Sequence, residues 1–224
     1  SLKSKKTGIE YIWQGITEIW YGQSPILFPI IGRLLEDKYR LNGKEYTMEK
    51  HGIVRKKPFK LVEQTENTLT FLQSDDEASL KIYPYHFDLF VTFKLNDNGL
   101  EVSHKVVNKN DCVMYYSFGA HPGFNCKIGD YLEFSDDTKL FTERIDHESI
   151  LIEETFPVEM DGNKITLTPV IFNDDALILS DFKSKNIKIK SNNHNRVISF
   201  DFDSPFLGIW AKPNAPYVCL EPWW

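Results

Sequence analysis

Four short stretches of this chain place proton-handling or cationic side chains in apolar or glycine-rich surroundings. In Ser117–Asn125 (SFGAHPGFN), His121 lies between Gly119 and Pro122-Gly123 and is flanked by Phe118 and Phe124. An imidazole titrates near neutrality, so in a stiff loop walled by aromatics it can donate or accept a proton. A core histidine satisfied by a backbone carbonyl is the equal alternative at this point. In Pro216–Trp224 (PYVCLEPWW), Glu221 follows a strand-like apolar run and precedes Pro222-Trp223-Trp224. A carboxylate in apolar company is costly unless paired or protonated, and burial moves it toward useful base strength. A glutamate at the rim beside hydrophobic anchors is the plainer reading, and the functional one is preferred.

The other two stretches supply hydrogen-bond donors. Pro25–Leu34 (PILFPIIGRL) is an apolar run that ends in Gly32-Arg33, setting a cation at its lip. A guanidinium there can fork onto hydroxyls or carboxylates; taken alone, a surface arginine paired with Glu36 or Asp37 is the simpler account. His51-Gly52-Ile53-Val54-Arg55 places a histidine before a glycine that permits positive φ and close backbone approach. On its own this is a partly exposed loop histidine. Tryptophan faces, such as those of Trp223 and Trp224 beside Glu221, are the usual platform for the C–H faces of sugars.

The elements that must hold these residues are strands. Phe87–Leu95 puts Phe87, Leu89, Val91, Phe93 and Leu95 on one face, Asn96–Gly99 (NDNG) supplies turn chemistry, and Leu100–Val107 resumes the pattern, which predicts a β-hairpin. Tyr39–Met48 around Asn42-Gly43 and Phe156–Leu167 around Asp161-Gly162 predict two more. Lys185–Lys190 alternates Ile187 and Ile189 with lysines, and Arg196–Asp203 alternates likewise. No stretch keeps apolar positions at helical spacing for three turns. Many short strands with frequent turns predict an all-β, antiparallel β-sandwich or barrel, and one domain spanning 1–224.

Together the four segments resemble the aldose 1-epimerase (galactose mutarotase) family, and more closely its bacterial LacX-like branch. The similarity runs from Trp13-Gln14-Gly15 and Trp20 to Glu221-Pro222-Trp223, and the order and spacing of the segments carry it together with the HPGFN and LEPWW contexts. The resemblance implies a large antiparallel β-sandwich of the galactose mutarotase-like kind and a cofactor-independent isomerase that exchanges the α and β anomers of a sugar. It implies His121 and Glu221 as the catalytic pair, and Arg33 and His51 as sugar ligands. It also implies a sugar-binding aspartate at the start of DDALIL, Asp175 first and Asp174 as the alternative. Trp223 or Trp210 would stack on the ring. The family's Asn-Arg pair is replaced here by Gly32-Arg33, which bears on sugar preference. Family members carry further segments at both ends, so the chain is expected to lack them.

Composition narrows the field further. The 224 residues are 42% hydrophobic and 14% aromatic, enough for a sizeable core, and the net charge of −6 argues against a nucleic-acid partner. Cys112, Cys126 and Cys219 cannot all pair and lack redox or metal-ligand spacing, which predicts small buried or half-buried thiols in a reducing compartment, the cytoplasm. No apolar run has the length of a membrane span. The expected partner is a small-molecule sugar, with no metal. The six histidines (51, 86, 104, 121, 147 and 194) form no local pair, which disfavours a metal-dependent or cupin-like β-sandwich. Two nearer rivals are a non-catalytic sugar-binding protein on the same fold and a mutarotase for a phosphorylated sugar.

Overall fold

The computed structural model describes residues 1–97 and 99–224; Asn98, in the predicted NDNG turn, lies outside the described residues. Strands dominate, and the chain separates into two compact units, Leu27–Ser117 and a second made of Ser1–Ile26 with Phe118–Trp224. The first strand, β1 (Ile26–Leu27), stands where one gives way to the other.

Within Leu27–Ser117, β2 (Lys38–Leu41) and β3 (Lys44–Thr47) form the predicted hairpin. Its turn residues Asn42 (φ 50°) and Gly43 (φ 80°) both adopt the left-handed conformation that a tight two-residue turn requires. An antiparallel meander follows in the order β4 (Lys60–Gln64), β5 (Thr68–Ser74), β6 (Phe87–Asn96) and β7 (Gly99–Asn108). Between β5 and β6 sits α1 (Glu77–Ile82), opened by a capping box in which Asp76 and Ser79 each bond the other's backbone N–H. The predicted apolar face of β6 is covered only in part. Phe87, Leu89 and Val91 are buried, whereas Phe93 and Leu95 are exposed, so this end of the sheet reaches past the unit's core. Exposed Leu69, Phe93 and Val102 sit in register across β5, β6 and β7.

The second unit holds two antiparallel sheets. The smaller orders as β13 (Lys164–Thr166), β10 (Tyr131–Phe134), β15 (Asn186–Lys190) and β16 (Ile198–Asp201). The larger runs through β8 (Gly119–Ala120), β18 (Tyr217–Trp223), β17 (Phe206–Trp210), β14 (Leu177–Leu179), β11 (Phe141–Ile145) and β12 (Leu151–Pro157), with β9 (Gly123–Asn125) also on β18. Alternation decides what each face carries. Leu177, Ile209 and Leu220 stand in register and join Leu132, Phe134, Ile165, Ile187 and Ile189 of the smaller sheet in one core, which makes this unit a β-sandwich. Truncating any of these side chains to alanine removes about 2–5 kcal/mol. The buried Asp137 ties the chain before β15 in place by accepting from the backbone N–H groups of Lys183 and Ser184.

Two expectations need correction. Phe156–Leu167 is not a hairpin of paired strands. The Asp161-Gly162 turn forms, with an Asp161–Lys164 bridge, but β12 pairs with β11 and β13 with β10. Local turn chemistry was sound, and the apolar faces on either side belong to different sheets. Cys112 is exposed, while Cys126 and Cys219 are buried; all three are free thiols. No helix among the described residues is long and apolar enough to cross a membrane.

His104 gives the fold a pH dependence. It stands opposite Val91 on β7, and burial pushes its imidazole down to about 4. The unfolded chain therefore binds a proton, below about pH 6.5, that the folded chain refuses until about pH 4. Stability from this residue is complete above the unfolded value and is lost as pH falls through that window. A full shift of this size is worth about 3 kcal/mol, and the half-buried ring yields less. Urea midpoints at pH 7 and pH 4.5 should fall less in His104→Phe than in the wild type; equal falls would remove His104 from the effect.

Candidate active site

Glu221 is placed by strand register. Along β18, Tyr217, Cys219, Glu221 and Trp223 alternate with Val218, Leu220 and Pro222, so the glutamate shares a face with Cys219 and lies opposite to the face on which Leu220 continues the Leu177–Ile209 row. It stands opposite Gly208 of β17, and Ile178 of β14 continues the same row; Trp210 stands opposite Cys219. Gly208 leaves the room that this row needs. A Cβ added there would lie 2.4 Å from the indole of Trp223, whose ring covers the glycine.

His121 arrives from the β8–β9 loop. Its N–H donates to the carbonyl of Pro25 (3.1 Å), and the Leu220 N–H donates to the carbonyl of Pro122 (3.2 Å), stitching the loop to β18. Gly123 closes the loop against the Trp13 side chain, the Trp20 ring and the Cys219 thiol; a Cβ there would come 3.1 Å from the first of these. The imidazole is stacked on Trp20 (centroids 5.0 Å apart, planes 30° apart) and meets Trp210 edge-on at 5.8 Å. Trp20 in turn stacks on Tyr217 at 5.2 Å, and its carbonyl accepts from the Trp13 indole N–H (2.8 Å).

The two predicted proton carriers are brought together by this packing. His121 Nε2 lies 3.2 Å from Glu221 Oε1, and the residues are 8% and 3% exposed. Such a pair holds a carboxylate that can accept a proton next to an imidazole that can give one, beside the rings of Trp20 and Trp210. Cys219 shares the cluster, with donor atoms of all three residues within 4.8 Å of one another. Complete burial, reinforced by the Glu221 charge, pushes its thiol well above the ordinary value, so it is a protonated neighbour rather than a nucleophile.

Trp210 also forms one wall of an open groove of about 680 Å³ within the same unit, whose other walls include Arg144, Asp146, His147, Phe156, Asp174 and Asp175. The two candidate aspartates differ here. Asp174 is ion-paired with Arg144, whose guanidinium lies over the Phe156 ring. Asp175 carries a left-handed backbone (φ 69°), and its carboxylate accepts from the N–H of Ala176 (2.8 Å). Trp223 packs over Gly208, and its indole N–H is buried with no hydrogen-bond partner among the described residues.

Arg33 and His51 belong to the Leu27–Ser117 unit, where Gly32 connects them. The His51 N–H donates to the Gly32 carbonyl (2.8 Å), and the Gly32 N–H donates to His51 Nδ1 (3.2 Å). Because Nδ1 accepts, the neutral ring carries its proton on Nε2. His51 is left-handed (φ 67°), as is Gly52, whose missing Cβ would fall 2.1 Å from the Phe28 carbonyl oxygen. Arg33 forks onto Asp37 at 2.7 and 2.8 Å, the plainer pairing foreseen for it.

The sequence reading missed Trp20 as the stacking partner of His121, and Arg144 and His147 as groove residues. Cys219 was legible as a neighbour of Glu221, because positions two apart on a strand share a face. A stacking partner more than 100 residues away in the chain leaves no local signal.

A sequence model of the aldose 1-epimerase family matches residues 1–223. The chain belongs to the aldose 1-epimerase family. It is 35% identical to the protein named LacX of Lactococcus lactis subsp. lactis, over 97% of this chain and 79% of that one. Among solved structures it is similar to a galactose mutarotase related enzyme from Lactobacillus acidophilus (34% identity, TM-score 0.92, 99% of this chain and 77% of that one). A galactose mutarotase-like protein from Lactobacillus casei gives 30% identity and a TM-score of 0.92, covering 99% and 79%. The all-β fold of this family member is thus the galactose mutarotase-like one.

The register of Glu221 supplies a direct test. Gly208→Ala forces the Trp223 ring off the strand beside Glu221, an overpacking cost of about 1–3 kcal/mol. The expected result is a folded variant of lower melting temperature with altered tryptophan fluorescence. Unchanged fluorescence and stability would show that Trp223 does not need the glycine.

Proposed function

We propose that this protein is an aldose 1-epimerase that exchanges the α and β anomers of a free hexose through the open-chain aldehyde. The observation that supports this most directly is the 3.2 Å contact between the buried His121 Nε2 and Glu221 Oε1 in a member of the aldose 1-epimerase family.

The chemistry asks for nothing beyond an acid and a base. Glu221 takes the proton from the anomeric hydroxyl as the bond between C1 and the ring oxygen breaks, and His121, as imidazolium, protonates the departing ring oxygen. The aldehyde then rotates about C1–C2. On closure, His121 takes back the hydroxyl proton as that oxygen attacks the other face of C1, and Glu221 returns its proton to the former carbonyl oxygen. No proton is gained or lost over the cycle, and each group contributes on the order of 10²–10⁴-fold. The box of Trp20, Trp210 and Tyr217 keeps bulk water from competing for these protons.

Binding roles follow the family resemblance. Asp175 is the preferred sugar ligand over Asp174, since Asp174 is already paired with Arg144. Arg33 and His51 are proposed as further hydroxyl ligands, and Trp223 or Trp210 as the stacking surface. A free sugar is favoured over a phosphorylated one, because Asp146, Asp174 and Asp175 line the groove with Arg144 already neutralised. A dianionic phosphate would meet net repulsion there.

Polarimetry on freshly dissolved α-D-glucose and α-D-galactose tests the reading. The protein should accelerate the approach to equilibrium with one of them, Glu221→Gln should lower kcat by at least about 100-fold with sugar binding retained, and Asp175→Ala should act chiefly on KM. Near-wild-type turnover in Glu221→Gln would sink the assignment.

A further inference from the structure

The proposed proton-transfer pair has a third potential metal ligand beside it. Cys219 and Glu221 project from one face of β18, two residues apart, and His121 meets them from the β8–β9 loop, so an imidazole nitrogen, a sulfur and a carboxylate oxygen converge within 4.8 Å of one another. Around a tetrahedral Zn²⁺ with bonds of about 2.0–2.3 Å, neighbouring ligand atoms stand roughly 3.3–3.6 Å apart. The His121–Glu221 contact of 3.2 Å already meets that spacing, and the sulfur has to approach by up to about 1.5 Å.

Charge and softness choose the ion. A divalent cation with one thiolate, one carboxylate and one neutral imidazole has no net charge, the condition under which a buried site is tolerated. Sulfur and imidazole donors favour Zn²⁺ and its borderline-soft relatives over Mg²⁺ and Ca²⁺, which prefer six or more oxygen ligands. Starting from the imidazolium–carboxylate pair proposed above, binding replaces the Cys219 S–H bond and the His121 Nε2–H bond by bonds to the metal and releases two protons to solvent, with no change of oxidation state.

We propose that His121, Cys219 and Glu221 form a site for a thiophilic divalent cation such as Zn²⁺, and that the bound ion switches off anomer exchange. The ion takes the lone pairs that Glu221 and His121 need for proton transfer, so metal binding and catalysis exclude each other. The inhibition rests on the acid–base function proposed above; the binding site itself does not. Cys219 has no part in that reaction, and its thiol turns a proton-transfer pair into a three-point ligand.

The test uses the whole chain, stripped with a chelator and titrated with Co²⁺ as a spectroscopic stand-in for Zn²⁺. One equivalent should produce a near-ultraviolet thiolate-to-cobalt band together with the intense visible absorption of a four-coordinate ion, and Zn²⁺ should displace both. Cys219→Ala should abolish the near-ultraviolet band, and His121→Ala, a loop substitution whose folding is checked by circular dichroism, should weaken binding by at least an order of magnitude. Zn²⁺ should inhibit the wild type, and relative to its own metal-free rate Cys219→Ala should need at least tenfold more. Absence of the band, or its persistence in Cys219→Ala, overturns the site. Binding without inhibition overturns the switch. Absence of anomer exchange in metal-free protein overturns the proposed function instead, and leaves the spectroscopic result to decide the site.

Discussion

A carboxylate that is 3% exposed has to be answered by a donor, and much of this protein's second unit is arranged around that requirement at Glu221. The imidazole of His121 stands 3.2 Å away, and it can do so only because the β8–β9 loop is stitched to β18 and closed by a glycine against Trp13 and Trp20. The register of β17 on β18 puts Gly208, rather than a side chain, beside the glutamate and the ring of Trp223 above that glycine. Shifting β18 by one residue would send Glu221 into the sandwich core and Leu220 out of it, exchanging a useful carboxylate for a ruinous one. The Leu177–Ile209–Leu220 row thus fixes the site from behind, since its burial is what forbids the slip.

The same geometry underlies both chemistries proposed for this cluster. Proton exchange needs an acid and a base whose lone pairs and protons are available to a substrate, whereas a metal needs three converging donors. Cys219 is the difference. Held as a thiol by burial and by the Glu221 charge, it is silent in proton transfer, and a divalent cation changes that by displacing its proton. Under the proposed function the groove beside Trp210 is the sugar-binding surface, with a polar wall in which Asp174 and Arg144 satisfy each other while Asp175 has a left-handed backbone. His51 has the same left-handed backbone.

Much of this was legible in the chain itself. Alternation identified β15 from Ile187 and Ile189, and Asn42-Gly43 identified a hairpin, because both signals are local. The proposed preference for Asp175 over Asp174 draws on the Arg144 contact, since two adjacent aspartates carry no register of their own. What the sequence could not provide depends on distant partners. Asp161-Gly162 made its turn, yet the strands on either side joined different sheets, because pairing is decided by which apolar faces meet. Phe93 and Leu95 share the face that the period predicts with Phe87, Leu89 and Val91, yet lie exposed, since period reports a face and not what covers it. Trp20 on His121 is the clearest case, as a stacking pair separated by about a hundred residues writes nothing into either local pattern.

The central claim is that His121 and Glu221 act as one proton-transfer unit, and comparing single and double variants tests it most directly. Anomer exchange should be measured by polarimetry in the wild type, His121→Ala, Glu221→Gln and the double variant, with folding checked in each. A coupled pair predicts that the double variant is no slower than the worse of the two singles, because either loss already disables the unit. Losses that multiply would mean that the two residues act independently, and would contradict the account.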